Sequence, residues 1–502
     1  MVPTKMASEY VLGIDVGTGG TRAVVVDRLG KIASSATHEH VPFASPQTGW
    51  AEQDPHDWWK ATGAAIRQAL TDVPGAKVTC VGLAGQMHGA VLLDDSDEVL
   101  RPALIWCDQR SQAQCDWLNS HLGARRIIEL TSNPALTNFT LTKLLWVRDH
   151  EPELWKRFRC MLLPKDYVRL RMTGEHAMDM AEASGTLMLD VAHRRWSEEM
   201  MSATGIPMSG LPKLYESPEV CARIDEHGAA YTGLELGTPV VAGAGDQAGG
   251  AVGMGIVRAG AVSATIGTSG VVFAATDTPA MDVNGRVHTF CHAVPGRWHV
   301  MGVTQSAGLS LRWFRDLLQN SGNLSYDQLT REAAQIPAGS DGVLWAPYLM
   351  GERTPHLDPN ARGALTGLAA NHTRAHVVRA VLEGVAFSLK DTFSLFGEMD
   401  VPVRNVRLGG GGARSPLWRQ IQADVYGHEV EILAAEEGAA YGAALLAGVG
   451  AKFWNSVEEA CDAVVEVRET VKPAPAAAKA MAQQYDHYRR IYPALKPLFQ
   501  GH

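Results

Sequence analysis

The chain has 502 residues, 46% of them apolar and 20% charged, a globular composition long enough for two large domains. Its formal net charge of −9 provides no basic footprint for nucleic acid or for an acidic membrane surface. Seven cysteines, an odd number without a CxxC pair, argue against a disulfide framework or a thiolate metal site and fit a reducing cytoplasm.

In chain order, residues 1–10 are too short and polar for a secretion signal. Residues 11–27 (VLGIDVGTGGTRAVVVD) read as a strand, a Gly-rich turn and a second strand, with Gly19-Gly20 expected to supply positive φ. Asp54-Pro55 gives an N-cap and a first-turn proline to a helix over 57–70. Residues 78–83 form a short strand that runs into Ala84-Gly85-Gln86-Met87-His88-Gly89. From Val240 a strand of small residues ends at Asp246, followed by Gln247 and a Gly/Ala-rich helix start. The apolar stretch 238–276 is interrupted by Asp246 and Arg258, so it reads as strands and turns rather than a membrane span.

Residues 261–277 (AVSATIGTSGVVFAATD) repeat the first hairpin, setting Gly267-Thr268 on Gly17-Thr18 and Ser269-Gly270 on Gly19-Gly20. Residues 403–408 then lead into Gly409–Gly412, as 78–83 lead into Ala84-Gly85. Ser415-Pro416 opens a helix that Gly427 closes, and a last helix from Ala476 is expected to end at Pro493. Two echoes in the same order predict an α/β fold with a duplicated domain, halves 9–254 and 255–502, and a cleft between them.

Gly-Thr turns facing one cleft could clamp a nucleotide's phosphates, because glycine lets backbone amides approach an anion and threonine adds a hydroxyl donor. No GxxxxGK[ST] loop occurs. Asp15 precedes the first turn where Thr265 precedes the second, and a carboxylate at one turn alone suits Mg²⁺ held through water. Asp246, at a strand end beside helix amides, is suited to take a proton from a substrate hydroxyl. The glycine bend at Gly409–Gly412 could let adenine and ribose lie against backbone. Each feature also has a structural reading: hairpin glycines, a turn-capping Asp15, a helix-capping Asp246. Of the HxxxH pairs, His288/His292 lies in a strand-like stretch where that spacing defines no helical face, and His372/His376 has no cysteine or carboxylate nearby to complete a zinc site. Trp50, Trp58 and Trp59 read as core aromatics, whereas Trp106 suits either core or site.

Residues 13–27, 49–59, 243–253, 349–368, 410–425 and 437–448 together resemble the FGGY family of carbohydrate kinases. That resemblance implies the duplicated actin-like, ribonuclease-H-like ATPase fold with an interdomain cleft, and ATP with Mg²⁺ as cofactors. Segments 82–94, 162–175 and 290–303 are most similar to the branch that phosphorylates the ketopentose D-xylulose, the alternative being another ketose or polyol. The resemblance implies that Asp246 is the base, Asp15 lies by metal and phosphates, and Met87 and His88 touch the sugar. The candidate sugar contacts are Gln86, Met87, His88, Trp106, Asp246 and Gln247; the candidate nucleotide contacts are Thr18, Gly267, Thr268, Gly410, Gly411 and Ala413. Gln247 departs from the pattern, since many members of that branch carry Asn there. The expected partners are sugar and nucleotide, with a homodimer allowed and neither nucleic acid nor membrane.

Overall fold

The computed structural model describes residues 9–318, 324–434 and 438–499, so residues 1–8 of the N-terminal stretch and Glu437 of the last family-like segment lie outside it. In the described residues, strands β1 (Glu9–Val16) and β2 (Gly20–Asp27) form an antiparallel hairpin that sets Asp15 opposite Arg22, and β3 (Ile32–Glu39) continues the meander. Helix α1 (Pro55–Thr71) crosses over to β4 (Lys77–Gly85), which lies parallel to β1 with Asp15 beside Ala84. Strands β5 (Val220–Arg223) and β6 (Pro239–Val241) complete the order β5-β6-β4-β1-β2-β3, and the short β7 (Ala244–Gly245) also pairs with β4. Helix α2 (Asp246–Gly253) follows at once.

The second sheet repeats this plan. Strands β8 (Ala261–Ile266) and β9 (Gly270–Thr276) form its hairpin, joined by β10 (His288–Cys291) and β11 (Trp298–Thr304). After helices α3 (Gly308–Leu317) and α4 (Arg374–Glu398), β12 (Asn405–Gly410) lies parallel to β8 and sets Thr265 beside Gly409, the register that Asp15 has with Ala84. Helix α5 (Pro416–Tyr426) leads to β13 (Val430–Leu433), helix α6 (Ala439–Gly450) follows, and β14 (Val467–Val471) ends the sheet.

The central strands are apolar on both faces because helices cover both faces. Val11, Leu12, Ile14 and Val16 are fully buried. Helix α1 starts where Asp54 accepts from the His56 amide at 3.0 Å, and its Trp58, Ala65, Ile66 and Ala69 face the core. Helix α6 comes from the second half yet lies on β1 and β4 of the first sheet and on α2. Gly13 and Gly82 permit this: a Cβ there would stand 1.9 Å from the Ala440 carbonyl oxygen and 2.1 Å from that of Ala443. No helix of the described residues is long and apolar enough to cross a membrane, and all seven cysteines are free thiols.

Two local expectations are corrected. The hairpin glycines Gly19, Gly20 and Gly270 do not adopt positive φ. What Gly20 and Gly270 provide is space, since a Cβ on either would meet a neighbour at 2.7 Å, the His38 carbonyl oxygen or Thr304 Oγ1. Pro493 does not end the last helix either. Helix α7 (Pro475–Tyr488) stops earlier, and Pro493 stands in the first turn of α8 (Ile491–Phe499), where a missing amide proton costs no hydrogen bond.

Candidate active site

Asp246 is the first residue of α2, directly after β7, so its carboxylate sits among the unpaired amides of a helix start. Burial raises its pKa to about 6, against the pull of the Gln247 backbone and side-chain amides. Asp15 is raised further, to about 7, first by burial and then by the charge of Asp246, with Arg22 opposing. The charge of Asp246 therefore reaches Asp15 at the C-terminal end of β1. Asp15 Oδ1 is buried without a hydrogen-bond partner among the described residues. An orphaned anionic acceptor of this kind fits a hydrated magnesium ion. The described residues hold no cluster of three or more His, Cys, Asp or Glu able to bind a metal by themselves.

Beneath the base lies a layer of buried charge that sequence reading missed. Lys165 Nζ reaches Asp166 at 2.5 Å and Asp179 at 2.7 Å, and Arg169 reaches Asp166 at 2.7 Å; all four side chains are fully buried. Lys165 and Arg169 also donate to the Ala242 carbonyl at 3.3 and 2.7 Å, which fixes the backbone four residues before Asp246. Glu182 abuts the same turn, its Oε1 only 3.0 Å from where a Cβ on Gly245 would be. Burial pushes its pKa well up, against the pull of the Lys165 ammonium. The run PKDYVRLR contains Lys165, Asp166 and Arg169, but nothing in its spacing shows that they point inward.

Met87 and His88 stand beside this turn. A Cβ on Gly245 would approach Met87 Cγ to 2.9 Å, and His88 follows with φ of 68°, a left-handed conformation rare outside glycine. Two donors hold the His88 carbonyl there, Thr140 Oγ1 at 3.2 Å and Lys143 Nζ at 3.1 Å. The ring donates from Nδ1 to the Gly185 carbonyl at 2.6 Å. Burial lowers its pKa to about 3, so it is a neutral imidazole with an available Nε2 lone pair.

Gln86 and Thr18 are both tied to protein partners. Gln86 is buried and donates to Gln53 Oε1 at 2.9 Å and to the Gly17 carbonyl at 3.4 Å. The Thr18 hydroxyl gives its one proton to Gln86 Oε1 at 3.1 Å and accepts from Trp106 Nε1 at 2.9 Å. Gln86 thus braces the first turn, and Trp106, 43% exposed, stands over that turn at the rim. Trp58 and Trp59 are core residues, and Trp50 packs edge-on to Trp146 beneath the Arg110 guanidinium.

On the second sheet, Gly267, Thr268 and Gly411 line a cavity of ≈ 470 Å³, within the range of small-ligand sites. The Gly267 and Thr268 carbonyls accept from the Gly308 and Leu309 amides at 2.8 and 3.1 Å, which ties the hairpin to the start of α3. Gly410 and Ala413 are not part of this wall. Gly410 turns the chain out of β12 with φ of 72°, and Ala413 is buried behind it. Arg312, Tyr326 and Asp327, from segments without a motif of their own, also line it, with Arg414 from the family-like segment 410–425.

The N-terminal domain of the FGGY family of carbohydrate kinases matches residues 10–253, and the family's C-terminal domain matches residues 262–451. The chain is 40% identical to the xylulose kinase of Escherichia coli (strain K12), over 97% of this chain and 99% of that protein. It is 38% identical to the xylulose kinase of Bacillus subtilis (strain 168), over 98% of each. Among solved structures, that of a "xyloylose kinase" from Brucella ovis superposes with a TM-score of 0.92 at 36% identity, covering 97% of this chain and all of the other.

Proposed function

Since the chain belongs to the FGGY family of carbohydrate kinases, we propose that it phosphorylates D-xylulose to D-xylulose 5-phosphate with ATP, in the cytoplasm. That it is a sugar kinase follows from the family; the ketose is supported by full-length relatives named for xylulose in two bacteria. The observation that carries the chemistry is Asp246, a carboxylate of raised pKa at a helix start within the electrostatic reach of Asp15.

In this reading the sugar lies against Met87 and His88, with its terminal hydroxyl on Asp246. His88 Nε2 accepts a hydrogen bond from one sugar hydroxyl. Asp246 orients the terminal hydroxyl and takes its proton as the oxygen bonds to the γ-phosphorus and the bond from that phosphorus to the β–γ bridging oxygen breaks, with ADP as the leaving group; such a base contributes roughly 10²–10⁴-fold. Gln247 steadies the carboxylate, and Trp106 covers the entrance above Thr18. Nucleotide occupies the cavity of Gly267, Thr268 and Gly411, with Gly410 and Ala413 shaping the turn beneath it. Magnesium bound with the nucleotide supplies neutralising charge to the phosphates, and Asp15 is the residue that would hold it, through water.

The halves 9–254 and 255–502 then carry sugar with base and nucleotide respectively, and their closure excludes water from the phosphoryl group. A panel of sugars in a coupled ADP-release assay tests this: D-xylulose should give the highest kcat/KM. Gln247 favours keeping another ketose or a polyol as the second reading. If L-ribulose or glycerol wins by about tenfold or more, that second reading replaces the first; if no sugar stimulates ADP release, both fall.

A further inference from the structure

His288 opens β10, and strand alternation turns His288 and Phe290 toward the first half. Four rings meet there in a closed set. His88 lies 5.0 Å from Phe139, Phe139 5.8 Å from His288, His288 5.6 Å from Phe290, and Phe290 6.2 Å from His88. Two of these rings come from each half of the chain.

Each imidazole has its tautomer fixed from outside this set. His88 Nδ1 donates to the Gly185 carbonyl. His288 Nδ1 lies 3.0 Å from Asn133 Oδ1. Asn133 Nδ2 donates to the carbonyls of Thr131 at 3.0 Å and Thr289 at 2.8 Å, which leaves Asn133 Oδ1 as an acceptor and puts the proton on His288 Nδ1. Both rings therefore keep their lone pair on Nε2, and neither Nε2 has a hydrogen-bond partner among the described residues. Burial, and with it the charge of Arg353, holds His288 neutral as it does His88. The Arg353 side chain likewise has no hydrogen bond or ion pair among the described residues. Packing accounts for the ring stack and for Nδ1. It gives no reason to retain a second imidazole whose Nε2 accepts from nothing, next to one placed for sugar.

We propose that His288 is a second sugar-contacting imidazole, supplied by the C-terminal half, whose Nε2 accepts a hydrogen bond from a substrate hydroxyl. The inference rests on the sugar-kinase reading and extends it. An open-chain polyhydroxylated substrate is held between His88 of one half and His288 of the other, so that the sugar itself bridges the cleft and favours closure.

The test uses His288→Asn and His288→Gln in the full-length enzyme, assayed with the sugar that the parent phosphorylates best. Asparagine carries an amide near the Nδ1 position and can still donate to Asn133, but has nothing at Nε2. Glutamine reaches toward the Nε2 position and loses the Asn133 contact. His288→Asn should raise the sugar KM by about tenfold or more, leave the ATP KM within about twofold and keep the parent Tm, while His288→Gln should recover part of the sugar KM. A folded His288→Asn enzyme with the parent sugar KM overturns the proposal. Should that variant fail to fold, ¹⁵N-histidine spectra of the parent decide: on saturation with sugar the Nε2 signals of both His88 and His288 should move, and movement of His88 alone overturns it. A parent that phosphorylates no sugar would overturn the kinase reading, and this inference with it.

Discussion

Gly442 lies so close to Gly249 that a Cβ on Gly442 would stand 1.8 Å from the Gly249 carbonyl oxygen. The contact joins α6, from the second half, to α2, which carries Asp246 and Gln247 at its start. Another face of α6, at Ala440 and Ala443, rests on Gly13 and Gly82 of β1 and β4. The base is thus held from behind by a helix that the chain makes almost two hundred residues later.

Gly442→Ala therefore cannot be accommodated by a side-chain rotation, because the obstacle is backbone. Overpacking of this kind costs about 1–3 kcal/mol. The variant should melt several degrees lower and lose kcat through displacement of α2, whereas Gly397→Ala, which meets no atom within 4 Å, should behave as the parent. Calorimetry and steady-state kinetics on the pair separate the two outcomes.

The buried charge layer makes a second prediction. Lys165→Met leaves Asp166 and Asp179 without their ammonium partner in a fully buried site. Removing one partner of a buried pair costs roughly 3–5 kcal/mol. Because Lys165 also holds the Ala242 carbonyl, kcat should fall even in the fraction that remains folded at low temperature. Parent-like denaturant unfolding would show that the layer carries no structural role.

How much of this was legible beforehand depends on the range of the interaction. Both hairpins, the Asp54 and Ser415 caps and the strand-to-helix turn at Asp246 follow from local rules, and they occur where the sequence puts them. The duplication was readable as two echoes, and the register confirms it residue by residue, with Asp15 on Ala84 and Thr265 on Gly409. What was not legible is tertiary. The hydrogen bond between Thr18 and Gln86, 68 residues apart, has no local signal. The α6 crossover leaves no local mark beyond small residues. The partners of Lys165 and Arg169 are chosen by burial, not by spacing.

The nucleotide cavity offers a third prediction. Thr268→Val preserves shape and removes a hydroxyl that has no hydrogen-bond partner among the described residues. The ATP KM should rise about tenfold while sugar affinity, measured by calorimetry without nucleotide, stays near the parent value. Unchanged ATP kinetics would reduce the second turn to scaffold.

For His88, alanine removes the Nε2 acceptor together with the ring that packs on Phe139. His88→Ala should raise the sugar KM at least tenfold and change the ATP KM by less than about threefold. Equal effects on both constants, in a variant with parent Tm, would make the ring a packing element only.

The last prediction concerns Asp246 and joins activity to stability through pH. A base must be ionised to take a proton, so with a pKa near 6 the parent kcat/KM should fall below about pH 6 with a first-order acid limb. The same shift has a stability consequence of defined sign. The folded state binds this proton more tightly than the unfolded state, whose pKa is near 3.8, so the charged group costs stability as pH rises from about 4 through 6, and the full cost is present above that. Asp246→Asn cannot ionise and escapes that cost, yet it can still cap α2. Relative to the parent, its Tm should therefore be higher at pH 8 than at pH 5, while kcat falls by roughly 10²-fold or more at both. A variant that loses activity and also loses stability at pH 8 would mark Asp246 as a structural anchor, and one that keeps near-parent kcat would remove it from the chemistry altogether.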